Sequence, residues 1–103
     1  MKDDLAFIEH ILLCIDKIQE YTKNLTAHDF NNSELIQDAV IRNIEIIGEA
    51  TKKISKDLKS QYREIPWKEM SGMRDKLIHD YFGVDIDVVW KTVSEDIPYQ
   101  ITY

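Results

Sequence analysis

The fold class of this chain is decided by one stretch, DLAFIEHILLCIDKIQEYTK, which occupies residues 4–23. Apolar side chains recur along it at steps of three and four residues, the spacing that places them on one face of an α-helix. This spacing predicts a long amphipathic helix from Asp4 to about Lys23. Its apolar stripe comprises Ile8, Ile11, Leu12, Ile15, Ile18 and Thr22.

A second helix is predicted from about Ser33 to Ile54. Turn-forming residues precede it in the segment TAHDFNNS, residues 26–33, and either Asn32 or Ser33 is suited to cap its first turn. Gly48 costs stability inside a helix, so its presence predicts a close approach of a neighbouring helix. The predicted buried side comprises Ile36, Ala39, Val40, Ile47, Ala50 and Ile54.

Two further helices complete the predicted fold. A basic stretch and a short loop follow Ile54, and Pro66 suits the first position of a third helix because proline lacks the backbone N–H that is unpaired there. We expect this helix to end near Gly83 and a fourth helix to run from Asp85 to about Val93. The apolar positions are Met70, Met73 and Leu77 in the third helix and Val88, Val89 and Val93 in the fourth.

The number and spacing of these helices indicate the architecture. Neither an internal repeat nor a linker interrupts the helical pattern. Four or five helices joined by short connections pack as a compact bundle. We therefore predict an all-α fold, a four-to-five-helix antiparallel bundle that forms a single domain over residues 1–103.

Net charge restricts the class of protein. The formal net charge is −6, from 13 Lys and Arg against 19 Asp and Glu. A protein that coats nucleic acid is usually basic, because its cations must displace counterions from phosphates. The acidic balance therefore argues against a non-specific nucleic-acid coat, but it leaves open a nuclease with a local site or a cationic cleft formed by assembly.

The sequence also predicts a cytoplasmic protein without a membrane partner. Its single cysteine, Cys14, cannot form an internal disulfide. No apolar run approaches the ~20 residues that cross a bilayer. The acidic start, MKDDLAFIEH, lacks the basic region that opens a signal peptide.

Side chains that can take part in catalysis are concentrated in the stretch GMRDKLIHDYFG, residues 72–83. Asp75 and His79 are four residues apart and share one helix face, so the carboxylate is placed to orient the imidazole. Arg74 and Tyr81 are seven apart and lie on nearly the same side. Arg74 lies ~140° from His79 around an ideal helix. The two side chains can therefore contact the same phosphate only if the long arginine side chain reaches around the helix or the helix is kinked.

These residue types fit the chemistry of phosphate. Guanidinium offers a fixed fork of donors to anionic oxygens, and histidine moves protons near neutral pH. Cleavage of RNA needs a base for the 2′-hydroxyl, a cation for the phosphorane and an acid for the leaving oxygen. One motif histidine per chain supplies one proton-transfer group. We therefore predict a homodimer, joined through the first helix or the face around the motif, in which two copies of Arg74 and His79 share a cleft.

Simpler interpretations of the same residues stay open at this stage. Arginine–histidine pairs are common on exposed helices, and Tyr81 could merely extend the apolar stripe of the third helix. The carboxylates of Asp80, Asp85 and Asp87 fit solvated helix ends better than a metal site. No Cys/His ligand spacing and no phosphate-binding glycine loop is present, so we predict neither a metal nor a cofactor. The lysine run after the second helix is typical of a solvated face.

The segment from Arg74 to Tyr81 resembles the Arg-x4-His-x-Tyr motif of the HepT-like toxins, which belong to the HEPN superfamily of helical bundles. The surrounding sequence is similar to that family as well, so the resemblance covers essentially the whole chain, and the motif shows no departure from the family pattern. The similar flanks are IRNIEIIGEATKKIS, IPWKEMSGMRDKLIHDYFGVD and VVWKTVSEDIP.

The resemblance implies a function and a set of residue roles. Such proteins are homodimeric, metal-independent ribonucleases, the toxins of type VII toxin–antitoxin pairs. A minimal nucleotidyltransferase antitoxin silences them by transferring AMP to the motif tyrosine. Carried over to this sequence, Arg74 and His79 are catalytic, Tyr81 is the modified residue, and Asp75 supports the arginine or the histidine. The expected partners are RNA, a second copy and the antitoxin.

Two other functions remain as alternatives. One is a noncatalytic HEPN-like helical module that binds nucleotide or a partner nucleotidyltransferase through the same cleft. Modules of that kind usually lack an intact motif, whereas Arg74 and His79 are both present here. The other is a structural dimerisation bundle, which leaves the motif unexplained.

Overall fold

The computed structural model describes residues 2–77 and 86–96, and within these ranges every regular element is helical. The predicted all-α class is therefore confirmed. The described residues form six α-helices and a π-helical turn, two short helices more than the sequence pattern indicates. In chain order they are α1 (Lys2–Thr22), α2 (Ala27–Asn31), α3 (Glu34–Lys53), α4 (Lys56–Gln61), α5 (Trp67–Leu77), α6 (Ile86–Lys91) and the π-helical turn Thr92–Asp96.

The two long helices, α1 and α3, run antiparallel. Asp4, in the first turn of α1, is held by Ser55, which follows the end of α3. The Ser55 backbone N–H donates to Asp4 Oδ1 over 2.8 Å, and the Ser55 hydroxyl donates to Asp4 Oδ2 over 2.6 Å. The start of α1 therefore lies against the end of α3, as the predicted bundle requires.

The core is built mainly from the apolar faces of α1, α3 and α5. The predicted stripe of α1 is largely confirmed, because Ile11, Ile15 and Ile18 are buried and Ile8 is half-buried. Leu12 is the exception, since 49% of its surface is exposed. The stripe is narrower than predicted, and Leu12 lies at its outer edge rather than in the core.

The cap and buried side of α3 match the prediction closely. Ser33 is the N-cap, and its hydroxyl oxygen accepts from the Ile36 backbone N–H over 3.3 Å. Gly48 lies on the buried side of the helix, while the close approach predicted there stays a prediction. The fully buried predicted positions are Val40, Ile47, Ala50 and Ile54, and Ile36 and Ala39 are half-buried.

The helix α2 replaces the turn that the sequence predicts. Thr26 and Asp29 form a reciprocal capping box, in which each side chain accepts from the other residue's backbone N–H over 3.1 Å. Phe30 anchors the helix, because it is completely buried and its ring centroid lies 5.2 Å from that of Trp90 on α6. One capped helical turn therefore holds α6 against the core.

The later helices also differ in detail from the prediction. The carbonyl of Pro66 accepts from Met70 N over 3.0 Å, so α5 begins at Trp67 and Pro66 is its cap rather than its first residue. Helix α6 is shorter than predicted and continues as the π-helical turn Thr92–Asp96. Val89 and Val93 point inward as expected, and Val88 is half-buried. The predicted helix end at Gly83 lies outside the described residues.

No helix in the part of the chain that the structure describes combines the length and hydropathy needed to cross a bilayer.

Candidate active-site helix and the grooves beside it

Helix α5 carries the first half of the candidate motif. Arg74 and Asp75 lie in its last turn, and the Asp75 side chain is exposed. His79 and Tyr81 lie outside the described residues. The pairing of Asp75 with His79, and the roles of all four residues, therefore stay predictions.

The position of α5 is fixed by its buried face and by its first residue. Met70 and Met73 are buried in the core. The indole Nε1–H of Trp67 donates to the backbone carbonyl of Tyr62 over 2.9 Å, which ties the start of α5 to the end of α4. The helix continues through Gly72, where an added Cβ would meet no atom of the described residues within 4 Å beyond the neighbouring helix backbone. Packing among the described residues therefore does not require glycine at that position.

An open cationic groove lies between α4 and the start of α5, with a volume of about 680 Å³. Four basic side chains line it, whereas Glu69 is the one acidic side chain among its lining residues. The sequence pattern indicated a loop and a solvated lysine run here, and it missed both the helix and the groove. The cationic groove is lined by Lys56, Lys59, Ser60, Arg63, Ile65, Pro66, Trp67, Lys68 and Glu69.

A second depression, the apolar groove, lies between α1, α4 and α5 and has a volume of about 270 Å³. Leu12 and Tyr62 lie along it with 49% and 47% of their surfaces exposed. Trp67 and Ile65 line both grooves and so form the ridge between them. The apolar groove is lined by Ile8, Ile11, Leu12, Ile15, Leu58, Tyr62, Ile65, Trp67 and Met70.

A third hollow, of about 260 Å³, lies between α1 and α3 and contains His10 among charged side chains of both signs. Lys53 lies over the Phe7 ring there, 5.8 Å from its centroid. Within residues 2–77 and 86–96, no group of His, Cys, Asp and Glu side chains is arranged to hold a metal ion.

Among the residues that the structure describes, Asp4 and Cys14 have clearly shifted pKa values. The Ser55 hydroxyl, followed by the Ser55 backbone N–H, holds the pKa of Asp4 below its usual value. Burial raises the pKa of the Cys14 thiol, whose side chain is 2% exposed. A protonated, buried thiol is a poor nucleophile. Cys14 is therefore a structural residue.

Comparison with known proteins places the chain in a family. A model of the family described as "Ribonuclease HepT-like" matches residues 11–102. The chain belongs to the ribonuclease HepT-like family. The matched region includes α3, every residue that lines the cationic groove and the whole Arg74–Tyr81 motif. No solved structure matches the chain.

Two relatives illustrate the extent of the similarity to the HepT-like family. The chain is 54% identical over 92 residues to "Probable ribonuclease HepT" of Thermococcus cleftensis, covering 89% of this chain and 84% of that protein. It is 52% identical over 97 residues to "Gamma-glutamylcyclotransferase and putative RNase MJ0434" of Methanocaldococcus jannaschii. That match covers 94% of this chain but 44% of the relative, so the chain spans less than half of that protein.

Proposed function

We propose that this chain is a metal-independent RNA endonuclease and the toxin of a type VII toxin–antitoxin pair. The observation that carries the proposal is the family match over residues 11–102, which includes an intact Arg74-x4-His79-x-Tyr81 motif. The whole chain acts in the cytoplasm as one HEPN-like domain. The names of the two relatives, both of which refer to a ribonuclease, support the same activity.

The proposed reaction is an internal transfer at phosphorus. A base accepts the proton of the ribose 2′-hydroxyl, whose oxygen then bonds to the adjacent phosphorus. Arg74 stabilises the negative charge of the phosphorane. The bond from phosphorus to the 5′ oxygen breaks, and an acid protonates that oxygen. The products are a 2′,3′-cyclic phosphate and a free 5′-hydroxyl.

A homodimer supplies both the acid and the base, because His79 of one protomer and His79 of the other serve in turn. The apolar groove supports this arrangement. A second copy seated in the groove would cover Leu12 and Tyr62 and lie against Met70 on α5. It would therefore dock on the helix that carries Arg74. Symmetric contacts of this kind are the commonest in homo-oligomers.

The catalytic assignment predicts that Arg74→Ala and His79→Ala each reduce RNA cleavage by about 10²–10⁴-fold. Cleavage of a labelled RNA is measured in the presence and absence of EDTA, and the product ends are mapped. Matched controls are Arg42→Ala and His28→Ala, because both side chains are exposed and neither lines the two grooves beside α5. We expect both control variants to cleave RNA as fast as the wild type, and we expect the wild type to keep its activity in EDTA. Loss of cleavage on chelation would refute the metal-independent mechanism, and an active Arg74→Ala variant would favour the noncatalytic module.

We further propose that a minimal nucleotidyltransferase antitoxin silences the enzyme by modifying Tyr81. The tyrosine oxygen attacks the α-phosphate of ATP, a Tyr–O–P bond forms and pyrophosphate leaves. The adduct adds a negative phosphate and a bulky nucleoside near Arg74 in the sequence, where it competes with RNA for the same cation.

The regulatory assignment predicts that Tyr81→Phe folds normally, cleaves RNA and resists silencing by the co-expressed antitoxin. Only the phenol oxygen is removed, so the ring can still pack. Mass spectrometry of the co-expressed pair should locate AMP on Tyr81. The expected unmodified residues are Tyr21, Tyr62 and Tyr99. An AMP group on one of those, or a silenced Tyr81→Phe variant, would overturn the regulatory proposal and leave the nuclease proposal intact.

A further inference from the structure

The cationic groove is built from a basic segment of an otherwise acidic chain, and four of the six basic residues of that segment line it. Residues 52–68 contain six of the 13 Lys and Arg residues but two of the 19 Asp and Glu residues. A polyanion is therefore repelled by most of the chain and attracted to this segment. The six basic residues are Lys52, Lys53, Lys56, Lys59, Arg63 and Lys68.

The cations that line the groove are available to a ligand. Lys56, Arg63 and Lys68 are exposed. Among the described residues, the salt bridge found joins Lys52 to Glu49 and involves none of these three side chains. Their charge is therefore not neutralised within the described part of the protomer, and a bound phosphate could replace the water that solvates them.

An aromatic ring lies among these charges. Trp67 is half-buried, and its Nε1–H is already paired with the Tyr62 carbonyl, which fixes one edge of the indole. An acidic peptide could use the cations but has no need of a flat aromatic surface. Single-stranded nucleic acid uses both features, because its phosphates contact Lys and Arg while its bases stack on aromatic rings.

The groove leads toward the candidate motif. Trp67 is the first residue of α5 and Arg74 follows seven positions later. On an α-helix, two residues seven positions apart lie within ~20° of the same side, ~10.5 Å apart along the axis. A strand bound at Trp67 can therefore continue along α5 to the level of Arg74.

We propose that the cationic groove is the binding track for single-stranded RNA beside the cleavage site. Lys56, Arg63 and Lys68 contact its phosphates, and Trp67 stacks on one base. The inference rests on the proposed ribonuclease function, and it identifies unpaired RNA as the substrate class.

The test measures binding separately from cleavage. The probe is a fluorescein-labelled 2′-O-methyl uridine oligonucleotide, which lacks the nucleophilic hydroxyl and cannot be cut. Lys56→Gln/Arg63→Gln is compared with the control Lys17→Gln/Lys23→Gln, which removes two exposed charges, one on α1 and one just after its end. We expect the groove variant to bind roughly tenfold more weakly and its salt dependence to fall by about 1.4 log units per log unit of salt. The control should match the wild type within about twofold.

Each outcome has a distinct meaning. If both double variants bind the oligonucleotide equally weakly, overall charge explains the effect, and the proposal that the groove binds RNA is wrong. A glutamate-rich peptide that displaces the oligonucleotide at equal concentration would assign the groove to a protein partner instead. If the wild type cleaves RNA while the groove variant binds and cleaves normally, the inference alone fails. If binding depends on the groove but no RNA is cleaved by the wild type, the ribonuclease proposal fails.

The stacking role is tested at Trp67. In a Trp90→Phe background Trp67 is the remaining tryptophan, and its fluorescence should be quenched by the oligonucleotide. Trp67→Phe should keep most of the affinity, whereas Trp67→Leu should lose roughly 5- to 100-fold. Thermal unfolding of both variants verifies that they are folded. Equal affinity of the folded Leu and Phe variants would overturn the stacking role.

Discussion

Asp4 and Ser55 are joined by two hydrogen bonds, although they lie far apart in the described chain. Ser55 donates through its backbone N–H and its hydroxyl to Asp4, while its hydroxyl oxygen accepts from Leu58 N over 3.2 Å. One serine therefore caps α4 and joins the start of α1 to the end of α3. The sequence could not predict this pair, because helical periodicity identifies buried faces but carries no information on partners 51 residues apart.

The hydrogen bonds to Asp4 predict a pH-dependent stability. The pKa of Asp4 is lowered in the folded chain, so its contribution is fully present above the ordinary pKa of an unfolded aspartate, about 4, and is lost as pH falls through the folded value. Asp4→Asn should unfold at a lower temperature than the wild type at pH 7, and the difference should shrink as the pH approaches 3. Thermal unfolding followed by circular dichroism measures it. A constant difference from pH 7 to pH 3 would show that the charge of Asp4 is unimportant.

At the scale of the element, the sequence predicts the long helices and misses the short ones. α1 and α3 each span five or more turns, enough for the apolar period to repeat several times. α2 and α4 have five and six residues, and each contributes one apolar side chain to the packing, Phe30 and Leu58. A single apolar residue gives no periodic pattern from which a helix could be predicted. The polar capping residues around it therefore indicated a turn in the sequence analysis.

Phe30 gives the element-scale prediction. Its ring is fully buried against Trp90, so Phe30→Ala should lower the free energy of unfolding by about 3–5 kcal/mol. Leu35→Ala is the matched control, because that side chain is 82% exposed and its loss should change stability by about 0.5 kcal/mol or less. Urea unfolding of both variants measures the difference. A Phe30→Ala variant as stable as the control would show that α2 does not hold α6 in place.

For the molecule as a whole, the sequence anticipated the fold class and the family but not the surfaces. The grooves form where α1, α4 and α5 meet, and α4 was absent from the prediction. The arrangement of Arg74, His79 and Tyr81 around one phosphate depends on how helices end and how two copies dock. A spacing of five or seven residues along a chain cannot specify either.

The proposed dimer gives a prediction at the same scale. Leu12→Glu places a charge in the apolar groove, so it should raise the dimer dissociation constant by roughly 100-fold or more and reduce RNA cleavage with it. The fold should survive because Leu12 is half exposed in the protomer. Leu35→Glu, outside the groove, should remain dimeric. Sedimentation at micromolar concentration distinguishes them, and an active monomeric wild type would contradict the shared-histidine mechanism.

Because Cys14 is buried, chemical labelling of its thiol can report how often the folded chain opens. The thiol lies on the buried face of α1, which packs against α3, and burial keeps it protonated. An alkylating reagent or oxidant can reach the sulfur only after α1 separates from its neighbours. Where reclosing is faster than modification, the labelling rate of the folded chain divided by that of a free thiol equals the opening equilibrium constant. A single native atom therefore measures how often the bundle comes apart, without any engineered probe.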